Sequence, residues 1–370
     1  MKSEFPVVGV IGAGQLARMM IASATALGIK LLPFASSASD SAAQITPHVI
    51  GDYNDIEAVK KFAELCDVLT FEHELIPLHV IKALEAAGVK VRPSSESFEY
   101  SQDKEAMRKK LSHFHSPRSK VVSSSLEITE YPAIAKSISG GYDGRGVWKI
   151  NSAQELDNLL KNHPKLLVEE LIDFDYEIAV MVARSPHSQA TSWSPTQTIQ
   201  RDGICTMTIS PAPLMSNELS EKAQKIALEI AAEVKLVGVM AVEMFVKGDE
   251  IFINELAMRP HNSGHWTIEG SRTSQFEQHL RAILDLPLGD PTMTDEVAVM
   301  GNILGKDKTD MYRPYLHLMA RNPSLKFHMY AKEVRPGRKI GHVNIIGKDL
   351  VELRTEIKHA IDYMSGEIDE

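Results

Sequence analysis

Cysteine is scarce, with only Cys66 and Cys205 among 370 residues. They lie far apart and neither sits in a metal-ligand pattern, which excludes a disulfide framework or thiolate metal site and predicts a reduced, cytoplasmic protein. Long apolar runs are missing too. No stretch reaches the roughly 18 residues of a membrane-spanning helix, and MKSEFPVVGVIGAG lacks the long h-region and cleavage site of a secretory leader. Basic charge is in the minority. A formal net charge of -9 argues against a nucleic-acid surface, yet allows a local basic pocket for a phosphorylated small molecule. Internal repeats and low-complexity tracts are absent. What is present is an ordinary globular composition, 44% hydrophobic and 24% charged, in a chain too long for one core.

The first hundred residues alternate strands (7–11, 29–34, 68–71, 89–91) with helices (57–65, 78–87, and a first one in which Leu16, Met19, Met20, Ser23 and Leu27 recur at helical spacing). Such βαβ alternation implies a parallel sheet covered on both faces. A polar helical stretch at 102–113 reads as a connector. Strands then flank a glycine-rich loop, followed by a helix near 153–161, a strand at 166–171, a long helix at 220–234 and strands around 239–245 and 250–256. A short-stranded tail begins near residue 297. The fold expected is α/β and α+β in three parts: a Rossmann-like lobe (1–103), a central lobe (104–296) with a lid at about 120–175, and a small β-rich C-terminal lobe (297–370).

Several motifs carry chemistry. Gly12-Ala13-Gly14 between strand and helix fits an anion-binding turn. A dinucleotide enzyme would place an acid at the end of the next strand, where Pro33-Phe34-Ala35-Ser36 stands instead; tight packing or a role on the substrate side are the other readings. Lys136 precedes the loop Gly140-Gly141-Tyr142-Asp143-Gly144-Arg145-Gly146, whose glycines let backbone amides fold over a polyphosphate. A mobile hairpin tip is the alternative. The strand ending in Glu169-Glu170-Leu171-Ile172 offers backbone groups to an adenine edge, and Glu177 suits ribose hydroxyls, although surface carboxylates look the same. The strands either side of Lys247-Gly248-Asp249 place Glu243 nearly opposite Glu255, on the face carrying Ala241 and Ile253, with Asn254 on the other face unless a bulge redirects it. Two such carboxylates repel unless a cation or shared proton intervenes, and oxygen-only ligands favour Mg²⁺ or Mn²⁺. The polar run Arg259 to His265 then suits a cavity wall that holds an anion, and Lys332, Arg335, Arg338 and Lys339 suit a phosphate monoester or a solvated basic turn.

In this order, GAGQL, TFEHELIP, VRPS, SGGYDGRG, VEELIDFDYE, RDGI, MAVEMF, NELAMRPHNSGHWT, SQFEQHLRA and VRPGRKIGHVN resemble the N5-carboxyaminoimidazole ribonucleotide synthetase family, ATP-grasp carboxylases of purine biosynthesis. The likeness runs from about residue 7 to 344, and HNSGHWT with YDGRG is its most specific part. The resemblance implies an ATP-grasp fold with a pre-ATP-grasp lobe, and carboxylation of 5-aminoimidazole ribonucleotide by ATP and bicarbonate through carboxyphosphate. On it, Lys136 and the loop from Gly141 to Val147 cover the phosphates, Glu169 to Ile172 and Glu177 hold adenine and ribose, and Glu243 and Glu255 carry magnesium. Asp143, Arg145, Arg259 and His261 face the aminoimidazole and bicarbonate-derived group, Lys332, Arg338 and Lys339 hold the ribonucleotide phosphate, and Asn254 lies with the nucleotide. A homodimer is the family expectation.

Some positions depart from the family pattern. Val147 stands for a glutamine, Lys104 for an ATP-contacting arginine, Gln200 for a nucleotide-contacting histidine, Met258 for a proline, and FEHEL for FEFEN. Lys104 keeps the charge without the bidentate fork. Two alternatives stay open: a formate-dependent glycinamide ribonucleotide transformylase-like ligase, and a nucleotide-binding homologue without turnover.

Overall fold

A computed structural model of the chain describes residues 5–140, 146–306 and 310–368, and among these residues the strands form three sheets. The first lobe is built on β1 (Val7–Ile11), β2 (Lys30–Ala35), β3 (Val49–Ile50) and β4 (Val68–Phe71), all parallel in the order β3-β2-β1-β4. Gly9 has to be glycine in this sheet: a Cβ there would lie 2.4 Å from Leu69 and 2.6 Å from the Cys66 sulfur. The strand expected at 89–91 reduces to one bridge, Leu69 to Val91, because the chain turns away at once through Arg92-Pro93.

The second sheet is antiparallel and contains β5 (Ser119–Val122), β6 (Ala133–Lys136), β7 (Val147–Ile150) and β8 (Leu166–Glu170) in the order β5-β8-β6-β7. The helix Ala153–Leu160 buries Leu156 against its own small core.

The third sheet is the largest. It runs β14-β13-β9-β11-β12-β15-β17-β16, with β10 paired to β9, where β9 is Tyr176–Arg184, β10 Ala190–Ser192, β11 Thr196–Arg201, β12 Ile204–Ser210, β13 Gly238–Lys247, β14 Glu250–Ala257, β15 Val297–Leu304, β16 Lys326–Met329 and β17 Lys339–Gly347. The C-terminal strands thus continue the central sheet instead of closing a sheet of their own. The short-stranded tail expected from the sequence is also longer than predicted, since β15 has eight residues and β17 nine. Asn302, His342 and Asn344 interrupt their apolar alternation, yet all three are buried, so the pattern understated the strands.

Apolar packing joins the lobes. Phe71 and Phe98 of the first lobe belong to the same continuous cluster as Val242 and Leu256 of the central sheet and Ala227 and Ile230 of the helix Asn217–Glu233. A buried histidine adds a polar rivet, for His279 Nε2 lies 2.7 Å from Thr70 Oγ1 of β4 and Val239 N–H of β13 donates to its Nδ1 at 3.1 Å.

Candidate active site

The hairpin β13–β14 sets the position of the two acidic residues. Glu243 pairs directly with Glu255, but the next pair is Met244 with Ile253, so Asn254 is an extra residue in a β-bulge. This corrects the simple alternation expected from the sequence. Ile253 moves to the face of Met244 and Val242, while Ala241 and Ala257 pack with Trp266 on the other. The bulge also turns Asn254 toward the second sheet, where its Oδ1 accepts from Lys136 Nζ at 2.9 Å.

A bulge leaves backbone carbonyls without ladder partners, and buried carbonyls need donors. Arg108 supplies them: its two terminal nitrogens donate to the carbonyls of Ile253 and Asn254, each at 2.9 Å. Its Nε binds Glu169 Oε1 at 2.7 Å, and Lys136 Nζ lies 2.7 Å from Glu169 Oε2. Glu169 is only 2% exposed. Burial alone would raise its carboxyl, but Lys136 and then Arg108 outweigh that and hold it below the usual carboxylate range. The side chain of Glu169 is therefore committed to aiming the lysine, which leaves its strand only backbone to offer a nucleotide. Glu170 points outward to Arg118, 2.7 Å away, and Leu171 and Ile172 follow beyond the strand.

The stretch expected as a connector is part of this site. Asp103 ends the helix Ser95–Gln102 and caps Lys104–Lys110 through Ala106 N–H, and the second helix buries Lys104 and directs Arg108 inward. Lys104 Nζ is 2.7 Å from Glu255 Oε1, and His261 Nε2 is 3.1 Å from Glu243 Oε1. Each carboxylate thus has its own positive or donor partner, with no proton shared between them. Burial would push Glu243 up, but the hydrogen bond and charge of His261, aided by Arg259 and Lys339, keep it below the usual range. Glu177 behaves oppositely. Burial and the charge of Glu243 push its carboxyl up to about 7, and Gln200 reaches it at 3.5 Å.

Arg259 donates to Glu74 Oε2 at 2.7 Å, and the other oxygen of Glu74 is buried with no partner. Glu72 from the same segment accepts from Gly14 N–H and, at 3.4 Å, from Ala17 N–H. The glycine turn thus encloses a carboxylate of the chain itself, where a dinucleotide would place its diphosphate. The basic residues of the C-terminal segment have different partners. Lys332 binds the Gln15 side chain, Lys339 lies close enough to bias Glu243, and Arg338 reaches the Glu333 carbonyl on the surface at 3.3 Å. Gly141, Tyr142, Asp143, Gly144 and Arg145 lie outside the described residues. Gly146 and Val147 follow them, with Ser137 N–H donating to the Gly146 carbonyl at 2.8 Å.

Residues 5–102 match the ribonucleotide synthetase preATP-grasp domain, 106–276 the ATP-grasp domain and 298–356 the phosphoribosylaminoimidazole carboxylase C-terminal domain. The chain is 43% identical over 377 aligned positions to the N5-carboxyaminoimidazole ribonucleotide synthase of Mycobacterium tuberculosis, covering 97% of this chain and 88% of the relative. The chain belongs to the N5-carboxyaminoimidazole ribonucleotide synthase family. Solved structures of the family superpose closely. The Aspergillus clavatus synthase with ATP gives a TM-score of 0.89 at 33% identity over 97% of this chain and 98% of the other. Its complex with ADP and 5-aminoimidazole ribonucleotide gives 0.89 at 32% identity over 98% and 99%.

Within this family fold, sequence reasoning missed Arg108, Glu72 and Glu74 as parts of the site. Glu72 and Glu74 stood inside the quoted motif TFEHELIP without an assigned role. Arg108 had no signal beyond sitting four residues after Lys104, on the same side of a short helix.

Proposed function

We propose that the chain carboxylates the exocyclic amine of 5-aminoimidazole ribonucleotide, using ATP and bicarbonate and releasing ADP and phosphate. The observation that carries this reading is the convergence of Lys136, Asn254, Glu243, Glu255, His261 and Arg259 at one bulged hairpin, in a chain of this family. Bicarbonate oxygen takes the γ-phosphoryl group to give carboxyphosphate and ADP. The amine then attacks the carboxyl carbon, phosphate leaves and the amine proton is lost.

The residues have distinct duties in this scheme. Lys136, held by Glu169 and Asn254, is pre-aimed at a nucleotide phosphate, so little reorganisation accompanies phosphoryl transfer. Lys104 has the charge for the same phosphates once it leaves Glu255. Arg259 and His261 orient the carboxylate-bearing intermediate, and the unpartnered oxygen of Glu74 is an acceptor for an amine N–H. Asp143 and Arg145 have their roles in the same step, and the segment from Gly141 to Val147 has its role toward the phosphates. Excluding water matters because carboxyphosphate hydrolyses readily. Lys332, Arg338 and Lys339 face the ribonucleotide phosphate, with Lys332 at the helix start marked by Gln15. Glu177 and Gln200, with the backbone from Glu169 to Ile172, take the nucleoside.

Glu243 and Glu255 fit a hard divalent cation, Mg²⁺ or Mn²⁺. They are opposed and all-oxygen, and each has one donor partner, Lys104 at 2.7 Å and His261 at 3.1 Å. Among the described residues no group of three or more acidic, histidine or cysteine side chains stands ready to hold a metal, so the pair would hold one only together with groups from the nucleotide. The metal, when bound, screens charge on the transferring phosphoryl group. The reading also includes a cytoplasmic homodimer.

The test is turnover with ATP, Mg²⁺, bicarbonate and 5-aminoimidazole ribonucleotide, following ADP and carboxylated product. ADP release that does not depend on both the ribonucleotide and bicarbonate refutes it.

A further inference from the structure

The segment from His261 to Thr267 converges on one side chain that the proposed chemistry does not use. Gln275, at the start of the helix Gln275–Ile283, is fully buried. Its Oε1 accepts from His261 N–H at 2.7 Å, while its Nε2 donates to the His261 carbonyl at 2.8 Å and to His265 Nδ1 at 3.0 Å. One amide thus brackets both backbone groups of the residue whose imidazole meets Glu243. The bond from His261 N–H fixes which amide atom is oxygen, so both N–H donors of Gln275 are used and His265 must accept at Nδ1.

The neighbouring residues fit the same clamp. A Cβ on Gly264 would stand 2.7 Å from Gln275 Oε1. Thr267 Oγ1 accepts from Gln275 N–H at 2.9 Å and donates to the Gly264 carbonyl at 2.6 Å. Burial keeps His265 neutral, as an acceptor must be. His261 is then bracketed from the side-chain end as well, because Ser263 Oγ lies 2.9 Å from its Nδ1.

We propose that Gln275 and His265 are positioning residues for the reaction: Gln275 clamps the His261 peptide, and His265 fixes the orientation of the Gln275 amide. This rests on the function proposed above. A clamp of this kind governs capture of the activated carboxyl group by the amine more than its formation, because His261 meets Glu243 whereas Lys136 is held by Asn254 and Glu169. Loosening it leaves carboxyphosphate to be lost to water.

The experiment measures ADP released and ribonucleotide carboxylated in the same reaction, for wild type, Gln275→Met, His265→Leu and His265→Asn, with Tm for each. Asparagine keeps an acceptor near the Nδ1 position and leucine does not. Gln275→Met and His265→Leu are expected to lower carboxylation by up to about 10²-fold, as a misplacement on the order of 1 Å does. KM for ATP stays within about twofold, since the ground-state nucleotide contacts are untouched. ADP released per ribonucleotide carboxylated rises above its wild-type value, and His265→Asn recovers most of the loss. Variants that keep wild-type coupling while activity merely follows Tm overturn the clamp, as does His265→Asn behaving like His265→Leu. If Gln275→Met does not fold, the two His265 variants decide between the same outcomes. A wild type that shows no ribonucleotide-dependent turnover overturns the functional reading itself, and the clamp's catalytic role falls with it.

Discussion

Replacing Glu169 with glutamine tests the frame of the site most directly. The substitution keeps the shape and removes the charge that two buried cations share, Lys136 and Arg108, both at 2.7 Å. Breaking a buried ion pair costs about 3–5 kcal/mol because the remaining charge is stranded. Asn254 still accepts from Lys136 and two carbonyls still hold Arg108, so the lower end applies, on the order of 3 kcal/mol. At roughly 2–4 °C per kcal/mol for domains of 150–250 residues, the transition containing this site should fall by about 6–12 °C in calorimetry at pH 7. The pH dependence gives a second handle. Glu169 is held below its usual 4.5 in the folded chain, so its stabilisation is present above that pH and lost as pH falls through the folded value. The gap between wild type and Glu169→Gln should therefore be flat from pH 6 to 8 and narrow only in acid. A fall of less than about 2 °C, or a gap that does not narrow below about pH 4, would refute the ion triad as the support of Lys136.

Other outcomes follow from the same geometry. Glu177→Gln should raise Tm at pH 8 and leave it unchanged near pH 4, because a carboxyl pushed up to about 7 is protonated in the folded chain over a range where the unfolded chain has released its proton; the gain is at most on the order of 3 kcal/mol, read by thermal melts across that range. Glu255→Gln should lower Tm by less than Glu169→Gln does, since Glu255 is 35% exposed and solvent screens the charge left on Lys104, yet lower bicarbonate-dependent ADP release by about 10²–10³-fold; a rate within tenfold of wild type would remove Glu255 from the proposed metal site. His279→Phe should destabilise the chain by about 2–4 kcal/mol by stranding Val239 N–H and Thr70, and its cost should shrink below pH 6.5, where a histidine held down to about 3 already disfavours the folded state.

The sequence by itself determined the kind of fold and the family. Alternating strands and helices announced a parallel first sheet, because period and turn residues are local properties that survive without tertiary contacts. The hairpin itself was legible at short range, but its turn has only the two residues Gly248 and Asp249, a register that by itself would set Glu243 against Asn254. The bulge at Asn254 shifts register by one residue and brings Glu255 opposite Glu243. Arg108, brought from a helix nearly 150 residues earlier, donates to the carbonyls of Ile253 and Asn254 at that bulge. The same distance problem hid the partners. That Lys136 needs Glu169, that Glu72 fills the glycine turn, and that Gln275 explains Gly264 and His265 are facts about side chains distant in sequence meeting in space. Buried charge and buried amide groups must find partners wherever the packed chain places them, and only the tertiary structure decides which ones those are.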